Sequence, residues 1–209
     1  ITGTGTLTLA GNVTVTDATT GTVGATISCP VAMSGNITFT VGDDATTAVD
    51  LTISSVIRNS TGAARNLTKA GTGTMVLSGA NTYSGTTTIS QGTLSVSSIV
   101  VSGGVSNLGN ASSAIVLGST TTKGVLSYTG GAATFIRGFS VSAGGGGISN
   151  TTTNLLTIGT GGITNGGALT LSNTSTGGIT ISSVISSTGS LTINNIGSGA
   201  TILSGANTY

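Results

Sequence analysis

The sequence predicts an all-β fold in which a short strand–turn–strand unit is stacked many times into a solenoid. Three observations support this: apolar residues alternate with Thr and Ser, glycine-rich turns recur along the chain, and one seven-residue block occurs twice. The block Leu77–Tyr83 reads LSGANTY and returns as Leu203–Tyr209. Such units bury their apolar faces only by stacking on neighbours, so the rest of the chain is expected to form further rungs of one stack.

The composition excludes several classes of protein. Of the 209 residues, 4% are charged and 3% are aromatic, and the net charge is +1, which gives no electrostatic case for binding nucleic acid or an acidic membrane. Histidine is absent and Cys29 is the only cysteine, so a histidine base and an internal disulfide are both excluded. The sequence contains no run of about 18 apolar residues, so it predicts no membrane-spanning helix. The 36% of apolar residues argues against a disordered Gly/Ser linker.

The first part of the chain contains period-two alternations that predict short, half-buried strands. These strands are expected at residues 6–9, 12–16, 25–28, 36–41 and 50–54. Pro30 lacks the N–H that a sheet ladder needs, so it is expected at a corner. Residues 58–65 are expected to form a polar excursion before the stretch Asn66–Val96, which contains the first LSGANTY block.

Glycines punctuate the second part of the chain and include the run Gly144–Gly147. Glycine adopts positive φ at tight corners, so these positions are predicted as corners of the coil. The strands between them are expected at residues 114–117, 125–128, 155–158, 168–171 and 179–182. With about 20–25 residues per turn, nine or ten rungs are predicted. At about 4.8 Å between strands, they would form a rod about 45 Å long.

An internal repeat links residues 52–83 with residues 180–209. The offset drifts from 128 residues, between Thr52 and Thr180, to 126 residues, between Leu77 and Leu203. The retained positions are turn, core and corner residues, and charge is not retained. They form the predicted structural motif: Gly71, Gly73, Leu77, Gly79, Asn81, Tyr83, Gly205, Asn207 and Tyr209. Residues 1–209 are therefore predicted to form one solenoid segment, and we expect it to be a piece of a longer chain.

Residues 71–89, GTGTMVLSGANTYSGTTTI, together with Lys69, Ala70 and Gly92–Leu94, resemble the autotransporter-associated β-strand repeat. Residues 53–57 also resemble the strand that precedes it, while the remaining chain is similar only in texture. The resemblance implies a right-handed parallel β-helix, export from a Gram-negative type of bacterium, and a place on or outside the cell surface.

Few residues are candidates for chemistry. Enzymes built on parallel β-helices need clustered carboxylates in a groove, and the candidates are Asp43, Asp44 and Asp50. Asp43 and Asp44 are adjacent and would point to opposite faces of a strand. The trio also lacks the glycine-rich nonapeptide of calcium-binding β-helices. The sequence therefore predicts no enzyme, no metal and no cofactor, and a glycan-degrading enzyme would depend on Asp43 or Asp50.

Two features are candidates for interaction. Phe135, Arg137 and Phe139 lie on one side of the chain if the segment is extended. Two interpretations are open: the rings pack in the core with Arg137 at a bend, or the three residues form an exposed aromatic–basic patch. Thr-x-Thr pairs, such as Thr38/Thr40 and Thr86/Thr88, predict a flat hydroxyl ladder. That ladder suits ice or glycan binding, but a solubilising coat is the simpler interpretation.

The predicted function is structural: a stalk or filament-forming segment of an extracellular bacterial surface protein. An adhesin or carbohydrate-binding passenger, with surface glycans as partners, is the alternative. Neither end carries a polar cap, so the chain is expected to continue or to stack head to tail with other copies. The neutral hydroxyl coat predicts a stability that is indifferent to salt and pH.

Overall fold

The computed structural model describes residues 1–16, 24–43, 45–99 and 104–208. Within these ranges the chain forms 23 strands and no helix, and hence no helix that could cross a membrane. All named strands pair in parallel, each with the equivalent strand of a neighbouring turn. The fold is therefore the β-solenoid that the sequence predicts.

The strands form four sheets, called A to D here. Sheet A contains β1 (Leu7–Leu9), β4 (Val31–Met33) and β7 (Ile57–Asn59). Sheet B contains β2 (Val13–Val15), β5 (Ile37–Val41), β8 (Leu67–Ala70), β10 (Thr87–Ile89), β12 (Ile115–Leu117), β15 (Phe139–Val141), β18 (Ile163–Asn165) and β21 (Ile185–Ser187). Sheet C contains β3 (Ala25–Ile27), β6 (Leu51–Ile53), β9 (Thr74–Leu77), β11 (Gly92–Val96), β13 (Gly124–Tyr128), β16 (Gly146–Asn150), β19 (Leu169–Asn173) and β22 (Leu191–Asn195). Sheet D contains β14 (Ala133–Phe135), β17 (Leu156–Ile158), β20 (Ile179–Ile181) and β23 (Thr201–Leu203).

Each turn of the coil follows three sides. The chain passes through sheet B, then sheet C, then a third side that sheet A occupies in the first turns and sheet D in the last. Between sheets A and D this side holds no named strand among the described residues, and an isolated bridge joins Asn81 to Ser106. Sheets B and C are both eight-stranded and continuous, so they hold the rod together along its length.

The coil makes about eight turns, rather than the nine or ten predicted, because some turns are longer than 25 residues. Thr86 donates its backbone N–H to Asn66 Oδ1, 20 residues earlier, across one of the shortest turns. Thr122 Oγ1 donates to the Ser90 carbonyl, 32 residues earlier, across one of the longest. At about 4.8 Å per strand, eight stacked strands span about 34 Å.

Aliphatic side chains fill the interior in columns that run from turn to turn. The inner column of sheet C is at most 1% exposed and consists of Leu51, Met75, Leu94, Leu126, Ile148 and Leu171. Each such side chain contributes about 1.5–3 kcal/mol through burial. Between them lie outward residues, mainly Thr and Ser, as the period-two alternation predicts.

The glycine run Gly144–Gly147 is only partly a corner. Gly145 has φ 92° and turns the chain, but Gly146 and Gly147 begin strand β16. A Cβ at Gly146 would lie 2.7 Å from Leu117 Cβ and 3.1 Å from Val141 Cγ1. Glycine is therefore required at this inward position because neighbouring strands already fill the space, which local sequence does not reveal.

The two copies of the internal repeat lie on different sides of the coil. The first copy runs from β6 in sheet C to β7 in sheet A, and the second runs from β20 in sheet D to β21 in sheet B. Because sheets A and D share the third side, the second copy is rotated by one side relative to the first. The repeat is therefore tied to a pair of neighbouring rungs and not to one face of the rod.

Candidate functional site

The corner of the first LSGANTY block is built around the buried side chain of Asn81. Its Oδ1 accepts the backbone N–H of Ile57 at 2.7 Å, and its Nδ2 donates to the Asn107 carbonyl at 2.6 Å. The backbone N–H of Thr82 donates to the Ile57 carbonyl at 2.9 Å. Asn81 thus joins its own rung to the one before and the one after.

The second block repeats this corner at the other end of the coil. Asn207 Oδ1 accepts the backbone N–H of Ile185 at 2.9 Å, and the N–H of Thr208 donates to the Ile185 carbonyl at 3.0 Å. Leu77 is fully buried and its counterpart Leu203 packs against the core. The structure therefore places the predicted motif residues at equivalent corners. Tyr209 lies outside the described residues.

The motif glycines are needed because neighbouring backbone approaches them closely. A Cβ at Gly79 would lie 2.1 Å from the Ser55 carbonyl oxygen, and one at Gly205 would lie 2.0 Å from that of Ser183. Gly71 has φ 78°, and a Cβ at Gly73 would lie 2.2 Å from the Gly42 carbonyl oxygen. Rung-to-rung spacing at these corners leaves no room for a side chain.

Inward polar residues at strand ends stabilise the corners that follow, and the sequence did not reveal them. Asn150 and Asn173, both fully buried, pair in register on sheet C, and their Nδ2 groups donate to the Asn154 and Gly177 carbonyls respectively. The signal was the recurrence of Ser-Asn at residues 149–150 and 172–173, one turn apart. Aligned Asn side chains satisfy corner carbonyls that would otherwise be buried without a donor.

Lys69 has the same role at the end of β8. It is fully buried and inward-facing, between Phe39 and Ile89 on the neighbouring strands. Its Nζ donates to the carbonyls of Ala70, Gly71 and Gln91 at 3.0, 2.8 and 3.1 Å. Burial lowers the pKa of Lys69 to about 8, although the nearby carboxylate of Asp50 opposes this shift.

The buried Lys69 makes stability depend on pH above about 8, where the sequence alone predicted indifference. An unfolded lysine keeps its proton up to about pH 10.4. Between about pH 8 and 10 the unfolded chain therefore binds more protons, and the free energy of unfolding rises with pH. We expect a rise of about 2 kcal/mol between pH 7.5 and 9.5 in urea unfolding, absent in Lys69→Met. Identical profiles for the two proteins would contradict this.

At higher pH the sign reverses because of a buried tyrosine. Tyr83 is fully buried, and its burial raises the pKa to about 12, while its hydroxyl forms a 2.8 Å hydrogen bond with Thr87 Oγ1. Above about pH 10 the unfolded tyrosine releases its proton while the folded one retains it, so the free energy of unfolding falls with pH. The pH range for testing Lys69 therefore ends near 9.5.

Arg137, Phe135 and Phe139 are buried in the interior, and Arg137 interacts electrostatically with Tyr83. Phe135 ends β14, Phe139 begins β15, and Gly138, with φ 77°, turns the chain between them. Phe135 and Phe139 are 0% and 2% exposed and Arg137 is 6% exposed, so the three residues form no surface patch. The structure agrees with the other alternative, in which the rings pack in the core and Arg137 lies at a bend.

The guanidinium of Arg137 bonds to backbone across a rung. Its Nε donates to the Ser113 carbonyl and one Nη donates to the Leu108 carbonyl, both at 2.9 Å, while its second Nη is buried without a described partner. The guanidinium carbon lies 6.0 Å from the Phe135 ring centroid, and burial lowers the pKa of Arg137. Arg137 therefore supports the segment where the third side has no strand.

The aspartates within the described residues accept hydrogen bonds from backbone N–H groups. Asp50 is 7% exposed, and its Oδ2 accepts the backbone N–H of Thr74 at 2.7 Å, while Asp43 Oδ1 accepts that of Ala45 at 2.9 Å. Asp44 lies outside the described residues. Within the described residues, no three His, Cys, Asp or Glu side chains are grouped to hold a metal ion.

Hydroxyl groups line the outside of the rod in columns. On sheet B the outer column consists of Thr38, Thr68, Thr88, Val116, Ser140, Thr164 and Ser186. On sheet C the outer column includes Thr52 and Val76 and continues with Ser95, Ser127, Ser149, Ser172 and Asn194. Thr38 and Thr88, from two of the Thr-x-Thr pairs, lie in the sheet B column, whereas the sheet C column consists of other residues.

A family model described as passenger-associated-transport-repeat matches residues 67–96 and 196–209, which contain the two corners described above. The chain carries an autotransporter passenger repeat. In the first match the passenger repeat covers β8 to β11, and in the second it contains β23. The two copies of the passenger repeat form the same corner on different sides of the rod.

One curated relative is the autotransporter named adhesin BmaC, from Brucella suis biovar 1 (strain 1330). It is 43% identical over 94 residues, which are 45% of this chain and 3% of the relative. The chain thus corresponds to a small part of that protein. No solved structure matches this passenger-repeat chain.

Proposed function

We propose that this chain is a structural segment of an extracellular surface protein and acts as a stiff stalk within a longer passenger. The observation that carries the proposal is the continuity of sheets B and C through eight strands each. Hydrogen bonds between rungs run along the rod axis, and the inner aliphatic columns lock each rung on the next. Such an assembly extends a distal part of a surface protein away from the cell.

The similarity to an autotransporter supports a location outside a Gram-negative type of cell. The outer hydroxyl columns suit this location because they keep the rod soluble with few charges. Asp43 and Asp50 accept hydrogen bonds from backbone N–H groups, which supports a structural role over a catalytic one.

The end rungs support the idea that a further rung covers them. Ile193 faces inward in register with Leu171, yet it is 48% exposed because β22 is the last described strand of sheet C. At the other end Leu7 and Leu9 pack against the core on one side only. We propose that more of the same polypeptide, or a second copy stacked head to tail, occupies these positions.

The stalk proposal predicts a rod whose stability is insensitive to salt at pH 7. Small-angle X-ray scattering and electron microscopy of the purified chain should show rods of about 34 Å or end-to-end multiples of that length. The unfolding midpoint should change by less than about 2 °C between 0.05 and 1 M NaCl, since exposed charges are few. The scattering profile of a flexible chain, or a strongly salt-dependent midpoint, would contradict the proposal.

A second candidate function is adhesion by the segment itself, which the name of the relative favours. In that case the outer columns on sheets B and C are contact surfaces and not only a coat. Adhesion of beads coated with the purified chain to host cells or to immobilised glycans distinguishes an adhesive segment from a passive one.

A further inference from the structure

Lys123 lies across the outer face of sheet C instead of extending from its edge. It precedes β13, and its Nζ donates to Thr170 Oγ1 at 2.8 Å, 47 residues further along the chain. Thr170 belongs to β19, two strands or about 9–10 Å away, a separation that the lysine stem and the 2.8 Å hydrogen bond span together along the rod axis. The ammonium group thereby lies over β19, the strand next to the last described strand of sheet C.

The intervening strand has no side chain at the position that the lysine stem crosses. The outward position on the intervening strand β16 is Gly147, in register with Val125 and Thr170. A Cβ at Gly147 would lie 3.5 Å from Lys123 Cε and 3.2 Å from Val125 Cγ2. The result is an open depression of about 240 Å³, bordered by Lys123 and by the neighbouring hydroxyl column.

The surroundings of the ammonium group are polar and carry no opposing charge. Ser149, Ser172 and Asn194 line one border of the depression, in register and about 4.8 Å apart. Within residues 104–208 the charged residues are Lys123 and Arg137, and Arg137 is buried. Lys123 therefore provides a positive charge to this face with no carboxylate near it in sequence.

From this geometry we propose that the outer face of sheet C binds acidic polysaccharide, with the Lys123 ammonium group contacting a sugar carboxylate. An ammonium group has three N–H donors, and Thr170 accepts one, which leaves two for a ligand. Hydrogen bonds between ammonium and carboxylate are charge-assisted and stronger than neutral ones. The serine and asparagine column supplies neutral partners for sugar hydroxyls along the rod. This inference rests on the second candidate function and is independent of the stalk role.

The test measures binding of oligogalacturonate and of the same oligomer with its carboxylates methyl-esterified, by isothermal titration at low salt. We expect the acidic oligomer to bind and the ester to bind at least about tenfold more weakly. Lys123→Gln should weaken binding of the acid about tenfold, while Lys123→Arg should retain much of it. Arg58→Gln is the matched control, because it removes an exposed cation from sheet A and should leave the affinity unchanged.

Two further variants test the positioning of Lys123. Gly147→Val places a side chain in the path of the lysine stem, and Thr170→Val removes the hydroxyl that holds the ammonium group, so both should weaken binding. All these positions face outward, and thermal unfolding checks that each variant retains the fold. If Gly147→Val does not fold, the positioning of Lys123 is tested with Thr170→Val alone. Equal binding of acid and ester, equal losses in Lys123→Gln and Arg58→Gln, or absence of binding would overturn the proposal. The stalk proposal is tested by the shape and stability of the chain, so the stalk proposal and the polysaccharide proposal can fail independently.

Discussion

Replacement of Gly79 by alanine is expected to lower the free energy of unfolding by about 3 kcal/mol. The new Cβ would lie 2.1 Å from the Ser55 carbonyl oxygen and 2.5 Å from its carbon, both backbone atoms of the preceding rung. Relief requires the rungs to separate, which also weakens the hydrogen bond between Ile57 and Asn81. Urea unfolding measures the loss, and faster amide exchange at Ile57 would locate it at this corner.

Gly62→Ala and Gly205→Ala are the controls for this prediction. A Cβ at Gly62 has no heavy atom within 4 Å, so its replacement should change the free energy by less than about 0.5 kcal/mol. Gly205 meets the Ser183 carbonyl oxygen at 2.0 Å, but its corner lies in the last rungs, where the chain can move aside at a smaller cost. An effect of Gly79→Ala no larger than that of Gly62→Ala would show that the corner does not need glycine.

Arg137→Ala is expected to destabilise the middle of the coil by about 3–4 kcal/mol. The change removes the donors to the Leu108 and Ser113 carbonyls and leaves a cavity beside Phe135. Under the sequence-based alternative of an exposed aromatic–basic patch, loss of Arg137 would reduce binding at the surface. The structure instead predicts that any loss of binding follows from unfolding, since the side chain is 6% exposed.

Two variants separate packing from charge in this prediction. Arg137→Met fills much of the space and removes the cost of a buried charge, so it should be less destabilising than alanine. Arg58→Ala removes an arginine on the outer surface of β7 and should change the free energy by less than about 0.5 kcal/mol. Equal stability of the wild-type and Arg137→Ala proteins by urea unfolding would contradict the assigned role.

Regular alternation predicted ten of the 23 described strands at their positions. The segments that became β5, β13, β17 and β19 were read directly, because each strand has one inner and one outer face and therefore period-two polarity. Strands β4 and β7 were missed: β7 contains the exposed Arg58, and local polarity suggested a loop. Pairing with β4 on sheet A determines that strand, and such pairing is not encoded in the segment itself.

The residues of the candidate site likewise include some that the sequence predicted and some that it did not. The corner roles of Gly79 and Asn81 were predictable, because the LSGANTY block recurs with its flanking strand. The surface lysine was not, since Lys123 depends on Gly147 and on a hydroxyl 47 residues away, which only the register of three strands brings together. Burial of Arg137 depended equally on Gly138, whose positive φ turns the chain where an extended strand would keep both phenylalanines on one face.

The rotation of the second repeat by one side has a consequence for how such rods change in length. A corner unit that fits two different sides of the coil allows duplication or deletion in steps of one third of a turn with the pairing of the rungs retained. Each such step turns everything beyond it by about a third of a circle around the rod axis. Variation in repeat number would then reorient distal loops in space as well as move them further from the cell.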